Sequence, residues 1–364
     1  MPVLTGTELS AALAVRDLTD PSQGPHALQL LVTAILDALG GDVRLVRAHP
    51  VVPVKENYDQ LGYAPDTITR DARYTRYAGD GTMLRSHTSA MIPPLLHRLT
   101  AEPGWRDVML ACPGIVYRRD AIDRLHTGTP HQLDLWRIVA DQAMIGADLD
   151  ALIAVVLGAA LPGAAHRTVP SSHPYTEAGR QIDVLAGDGW VEVGECGLAA
   201  GHVLAGAGLG PAVTGLAMGL GLDRLLMLRK GIPDIRLLRA TDPRIAGQLL
   251  DLAPYRPVSS HPPVTRDLSL AVAAGTDAET IGDRVRQVPG AEAVEQLSVL
   301  AETPVAALPP AAVDRLGARP WQVNLLLRVV LRHPERTLTD AEANALRDRI
   351  YAALHEGATH QWAS

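Results

Sequence analysis

Hydrophobic and polar positions divide the chain into a helical start, a long mixed stretch and a compact tail. Residues 1–40 carry a helical pattern. Asp17 to Gly24 is a polar break, and from His26 to Leu39 leucines and other apolar residues recur at helical spacing until Gly40-Gly41 closes the run. Val43 to Val54 is rich in β-formers and holds Pro50. From there to about residue 250, β-type runs at Arg106–Ala111, Gly114–Arg118, His131–Ile138 and Trp190–Gly194 alternate with helical ones. Asp141–Leu161 is predicted to be a long, largely apolar helix, and Gly215–Lys230 another, opened by glycines.

The pattern changes where Pro254, Pro257, Pro262 and Pro263 cluster, which marks a linker near 250–263. Beyond it the chain predicts a strand at Asp267–Ala273, a helix at Asp277–Val288, and strands at Val294–Leu300 and Val323–Val330. A final helix starts at the capping box Thr339-Asp340-Ala341-Glu342 and runs to about His355. That order suits a small split βαβ sandwich, whose last strand is only faintly patterned in Gly357–Ser364. Neither an internal repeat nor a low-complexity tract is present.

Composition narrows the class. With 364 residues, 20% charged and 47% hydrophobic, the chain is expected to fold into two domains, or one large core with an appendage. No apolar run reaches the roughly 18 residues of a membrane span, and the N-terminus lacks a charged-then-apolar leader, so a cytoplasmic location and no membrane partner are expected. Cys112 and Cys196 have no metal-ligand spacing and make a disulfide framework an unfavoured expectation. A net charge of −7 argues against a generic polyanion binder. Lys55 and Lys230 are the sole lysines, a bias that a GC-rich genome explains. Phenylalanine is absent altogether, and aromatic bulk comes from eight Tyr and five Trp.

Three segments carry candidate chemistry. Gly114-Ile115-Val116-Tyr117-Arg118-Arg119-Asp120 ends a strand in two arginines, and His131-Gln132-Leu133-Asp134 returns after a polar loop holding Asp123 and His126. An antiparallel return places Arg118, Gln132 and Asp134 on one face, where a planar guanidinium suits a phosphate and a carboxylate suits an ammonium. Alone, Arg-Arg-Asp more often marks a solvated surface run. Gly215-Leu216-Ala217-Met218-Gly219-Leu220-Gly221-Leu222-Asp223-Arg224 is either a glycine-rich packing helix or one that aims Arg224 at a phosphate. Leu84-Arg85-Ser86-His87-Thr88-Ser89-Ala90 reads as a helix cap or as a polar ligand site.

Taken in order, these segments resemble the signature motifs of class II aminoacyl-tRNA synthetases, and in detail those of phenylalanyl-tRNA synthetases in their single-chain organellar form. His49 to Leu61, containing Asn57-Tyr58-Asp59, is similar to the family's first motif, where relatives have Asn-Phe-Asp. Leu84 to Ala90 resembles its Leu-Arg-Thr/Ala-His-Thr-Ser signature, Val116 to Asp134 its second motif and Gly215 to Arg224 its third. Trp190-Val191-Glu192-Val193-Gly194-Glu195-Cys196-Gly197 resembles its Trp-Leu-Glu…Gly-Cys-Gly strand, and Ile232 to Leu237 continues the likeness. Pro257 to Ser269 and Glu335 to Thr339 resemble its anticodon-binding domain.

The resemblance implies an α+β protein. Residues 1–40 would be a helical extension and 41–250 an antiparallel catalytic sheet flanked by helices. A linker would follow at 251–263, then a ferredoxin-like anticodon-binding domain at 264–364. It implies ATP-dependent activation of an aromatic amino acid, foremost phenylalanine, as an adenylate, and transfer to a tRNA. Arg118 and Arg224 would be catalytic. ATP would be held by Arg118, Asp120, His126, Glu192 and Arg224, with magnesium near Glu192. The amino acid would be held by His87, Ser89, Gln132, Asp134, His173, Tyr175 and Ala217. Arg328, Arg332 and Arg336 are candidate tRNA contacts, although residues 266–364 hold 10 Arg against 13 Asp plus Glu. The single-chain form implies a monomer rather than a homodimer.

Departures from the family gather at the amino-acid side. Ile92 stands for Gln, Asp134 for Glu, Pro130 for Phe, His173-Pro174-Tyr175 for Phe-Pro-Phe and Met218 for Phe. One reading is wholesale removal of Phe, so that the chain can be translated when charged phenylalanine tRNA is scarce; Tyr58, Leu237 and Leu270 outside the pocket fit it. The other is a changed substrate, a ring-modified aromatic amino acid of a specialised or resistance pathway, since His173 and Tyr175 add polar groups. A third possibility is a non-catalytic relative that binds tRNA or an amino acid.

Overall fold

The structure, a computed structural model, describes residues 3–72, 74–187, 189–258 and 261–359. Its strands, in chain order, are β1 Val43–Leu45, β2 Val51–Pro53, β3 Tyr77–Gly79, β4 Thr82–Leu84, β5 Asp107–Ile115, β6 His131–Ala140, β7 His166–Pro170, β8 Thr176–Ala186, β9 Gly189–Ala199, β10 Val213–Gly221, β11 Val264–Ala273, β12 Val294–Pro304 and β13 Gln322–Leu331.

The described residues form two compact units. The first takes the chain up to Arg118, Thr129–Ile232 and Gly247–Tyr255; the second takes Arg119–Gly128, Pro233–Ala246 and the chain from Arg256. This division differs from a single cut at a linker, because two short segments from before residue 250 belong to the second unit.

In the first unit a seven-stranded sheet runs in the order β1-β5-β6-β10-β9-β8-β7. It is antiparallel except for the parallel edge pair β1–β5. Strand alternation explains its two faces. Leu133 and Leu135 of β6 point one way, while Gln132, Asp134 and Trp136 point the other. Helices Ala27–Leu39, Gly146–Ala160 and Leu222–Lys230 pack on one another, the first burying Leu28, Leu31 and Ile35 completely. Helix Ile92–Leu99 brings Leu95, Leu96 and Leu99 into one apolar cluster with Trp136, Ile138 and Ala217. A small sheet, β2-β4-β3, completes this unit.

The core is built without phenylalanine. Trp136 is fully buried, and Tyr58 is 1% exposed because its hydroxyl donates to the Thr69 carbonyl at 2.9 Å and lies 2.6 Å from Thr75 Oγ1. Leu237 and Leu270 are buried apolar residues. No helix among the described residues is long and apolar enough to cross a membrane.

One element departs from the expected pattern. Gly215–Lys230 is not one helix: β10 takes Val213–Gly221, and the helix begins only at Leu222. The glycines serve close strand packing rather than a helix face. A Cβ on Gly215 would lie 2.6 Å from the Arg137 carbonyl, and one on Gly194 would lie 2.5 Å from the Gly219 carbonyl. Gly194→Ala therefore pushes β9 away from β10. It is expected to cost about 1–3 kcal/mol in urea unfolding, and an unchanged midpoint would show that the two strands have slack.

The second unit holds the sheet β11-β13-β12, with β13 in the centre and antiparallel to both neighbours. Helix Ala278–Arg286 is capped by Asp277, and helix Asp340–Leu354 begins at the expected capping box, Thr339 and Glu342. Helix Pro310–Leu316 was not indicated by the pattern. Ile122 packs into the apolar core of this unit. The expected last strand in Gly357–Ser364 falls largely outside the described residues.

Candidate active site

The site is laid out by register. On the face carrying Gln132, Asp134 and Trp136, Asp134 stands opposite Cys112 of β5 and Gly219 of β10, and Gly219 stands opposite Glu195 of β9. The next row holds Leu110, Trp136, Ala217 and Gly197. Gly219 thus leaves an open floor between two carboxylates; a Cβ there would meet only Asp134, at 3.8 Å.

The turn Thr88–Met91 closes one end. Asp134 Oδ2 accepts from Thr88 Oγ1 at 2.7 Å, and Oδ1 accepts from Ser89 Oγ at 2.8 Å and from Trp136 Nε1 at 3.3 Å. The Gln132 side-chain oxygen accepts from the Thr88 amide at 3.2 Å. Burial raises the Asp134 carboxyl to about 6, against the pull of these three donors. Arg118 Nε donates to the Ser86 carbonyl at 2.8 Å, which fixes the guanidinium beside the same turn.

His87 is 9% exposed. Asn57 Nδ2 lies 3.4 Å from its Nε2, and the amide's own carbonyl is committed to the Ser86 amide. The amide therefore acts as donor, so Nε2 accepts and Nδ1 carries the proton. Nδ1 is buried without a partner among the described residues. Burial, then the nearby Arg118 charge, pushes the His87 pKa down to about 3, so the ring is neutral at physiological pH.

Aromatic rings line the other end. Tyr175 lies 6.4 Å from Tyr63, 6.2 Å from Trp136 and 5.9 Å from His173, on which it stacks. Tyr63 stacks on His87 at 5.7 Å. Both phenols are held well above their usual range, chiefly by burial and further by Glu195 and Asp134. Ala217 lies fully buried in the floor beside Trp136. His173 Nε2 is 3.1 Å from Ser171 Oγ and 2.9 Å from Glu195 Oε1.

Arg224, on the first turn of helix Leu222–Lys230, donates from Nη1 to the Glu192 carbonyl at 3.1 Å. Burial raises the Glu192 carboxyl, while Arg224 and Arg118 both pull it down, so the two guanidiniums act on one carboxylate.

The structure thus brings together Arg118, Gln132, Asp134, His87, Ser89, His173, Tyr175, Ala217, Glu192 and Arg224. Asp120 and His126 fall in the second unit, where His126 Nδ1 lies 2.7 Å from Asp123 Oδ2. Arg328, Arg332 and Arg336 do not form a stripe of free cations. Arg328 pairs with Asp267 at 2.8 Å, Arg332 with Glu295 at 2.6 Å and Arg336 with Glu342 at 2.8 Å. Ile92, where the family has Gln, is fully buried in the apolar cluster that holds Tyr175. Sequence reasoning missed Tyr63, Asn57 and Glu195. The one signal for Glu195 was a carboxylate at a place where the family motif has glycine.

An antiparallel sheet with one arginine at a motif loop, a second at a strand-to-helix turn and a cluster of aromatic side chains in the same unit fits the class II synthetase type of catalytic domain. The sequence matches the family described as tRNA synthetases class II core domain (F) over residues 28–249. The chain belongs to that family. It is 28% identical to a probable mitochondrial phenylalanine--tRNA ligase of Drosophila melanogaster, covering 91% of this chain and 83% of the relative. It is 27% identical to a chloroplastic/mitochondrial phenylalanine--tRNA ligase of Arabidopsis thaliana, covering 89% and 75%. A phenylalanine--tRNA ligase alpha subunit of Nostoc punctiforme is 34% identical over 61% of this chain and 66% of its own length.

Proposed function

We propose that this chain joins an aromatic amino acid of the phenylalanine class to ATP, releasing pyrophosphate, and passes the aminoacyl group to a tRNA. The observation that carries this reading is the placement, in one unit, of Arg118 on the Ser86 carbonyl, Arg224 on the Glu192 carbonyl and the rings of Tyr63, Tyr175 and Trp136.

The amino-acid carboxylate attacks the α-phosphorus, and the bond to the β-phosphate oxygen breaks. Arg118 stands where it can hold that carboxylate and the α-phosphate together, which lowers the repulsion between two anions. Arg224 takes the charge that builds on the departing pyrophosphate. Gln132, Asp134, Ser89 and His87 surround the α-ammonium end. His87 borders that place as a neutral ring, which avoids the repulsion of an imidazolium, but with Nε2 taken by Asn57 and Nδ1 protonated it gives the ammonium no acceptor. His173, Tyr175 and Ala217 bound the side-chain end.

Among the described residues no group of three or more His, Cys, Asp or Glu side chains could cage a metal. Glu192 fits magnesium as a single carboxylate sharing an ion with the ATP phosphates, and the ion would supply charge neutralisation there. Contact of Arg328, Arg332 and Arg336 with tRNA would exchange their carboxylate partners for phosphates.

The test is pyrophosphate exchange with a panel of aromatic amino acids, followed by charging of a phenylalanine tRNA transcript. Exchange that depends on ATP and on an aromatic amino acid is expected. Its absence with every member of the panel would remove the enzymatic reading and leave a binding relative.

A further inference from the structure

The pocket contains one carboxylate more than the proposed reaction uses. A zwitterionic amino acid presents one carboxylate, which Arg118 matches, and one ammonium, which Asp134 with Thr88 and Ser89 matches. Glu195 is left over. It lies in the same cross-strand row as Asp134, on the far side of Gly219. Two strand spacings place the backbones of Asp134 and Glu195 roughly 10 Å apart. An amino acid with its ammonium at the Asp134 end and its ring laid over Gly219 therefore directs the far edge of that ring towards Glu195.

The surroundings of Glu195 fit a ligand contact better than a structural bond. Oε1 approaches His173 Nε2 at 2.9 Å, but that nitrogen also has Ser171 Oγ at 3.1 Å. Oε2 has no partner among the described residues, and no arginine or lysine pairs with this carboxylate, whose side chain is 37% exposed. The charge is felt within the pocket: it raises the Tyr63 and Tyr175 phenols and the Asp134 carboxyl. An ionised carboxylate only accepts, so its complement is a donor on the substrate. An unsubstituted ring edge offers none.

We infer that Glu195, braced by His173, reads a hydrogen-bond donor on the ring, so that the pocket prefers an aromatic amino acid bearing a ring hydroxyl or amine over phenylalanine. A hydroxyl placed there donates to Glu195 and can accept from a neighbouring group. A ring without it leaves the carboxylate facing apolar carbon, a mismatch that polar sites penalise strongly. This inference rests on the synthetase reading above and names the substrate class within it.

The experiment measures kcat/KM for pyrophosphate exchange by the full chain with phenylalanine, tyrosine, 3-hydroxyphenylalanine and 4-aminophenylalanine, in the parent and in Glu195→Gln. At least one donor-bearing substrate should exceed phenylalanine by about tenfold or more in the parent. Glu195→Gln should shrink that ratio by about tenfold with the KM for ATP unchanged. Glu195→Ala, which removes the carboxylate without adding bulk, should do the same if the amide variant folds poorly. Two results overturn the inference. One is a parent that prefers phenylalanine to every donor-bearing ring. The other is a pair of variants that lose activity equally for all four substrates, which would place Glu195 on the shared α-ammonium. Exchange with none of the four would instead defeat the synthetase reading itself.

Discussion

Arg118→Ala is expected to reduce amino-acid-dependent pyrophosphate exchange by about two to three orders of magnitude, with little change in thermal stability. Among the described residues the guanidinium makes a single hydrogen bond, from Nε to the Ser86 carbonyl, and pairs with no carboxylate. Removing it costs the fold one partly exposed hydrogen bond. It costs the transition state the cation that brings the acyl carboxylate and the α-phosphate together. The loss should fall on kcat as well as on KM, because the charge being stabilised grows during attack. Arg118→Lys should recover only a fraction, since an ammonium cannot bond two planar oxygens in parallel. A reduction of less than about threefold in the alanine variant would dismiss Arg118 from the chemistry.

Asp134→Ala should have the largest effect on stability of any single change in the site. It strips the acceptor from Thr88 Oγ1, Ser89 Oγ and Trp136 Nε1 at once, in a place with 1% exposure. A loss of about 2–4 kcal/mol in chemical unfolding is expected. The carboxyl also gives the fold a pH dependence. Its folded pKa, about 6, lies above the ordinary 3.8, so the folded state binds the proton more tightly than the unfolded state. The stabilising contribution of protonation is full below about pH 4 and is lost as pH rises through 6. Asp134→Asn removes this titration. Between pH 4 and pH 8 the parent should lose about 2.5 kcal/mol relative to that variant, as read from the difference between their unfolding midpoints. Parallel pH profiles would show that the buried carboxyl does not titrate in this window.

Where local chemistry decides the structure, the sequence was sufficient. The capping box at Thr339 marked the start of the last helix to the residue. The helical period from His26 matched the buried line Leu28, Leu31 and Ile35. After residue 263 the three strands and the first and last helices were legible, whereas helix Pro310–Leu316, between β12 and β13, was not. The sequence pattern also failed in the middle of the main sheet. Val213–Gly221 is buried between β6 and β9, so its residues lack the polar-apolar alternation that separates a strand from a helix, and its glycines suggest either. The arginines of the site were readable because their motifs are long and ordered. Glu195 was not, because in isolation a glutamate on a strand reads as a solvent-facing residue. Only the register against Gly219 and Asp134 shows that it faces the pocket.

The chain passes between its two compact units more than once before it reaches residue 256. A fragment expressed from Arg256 onward would lack Ile122, which fills part of that unit's apolar core, and Arg236, whose Nη1 ties the Glu292 and Arg332 carbonyls together. The tail's core is thus completed by residues upstream of 256, and a gene cut at the proline-rich junction would leave it without them. Recombination could exchange this tail between relatives only by carrying two distant inserts with it.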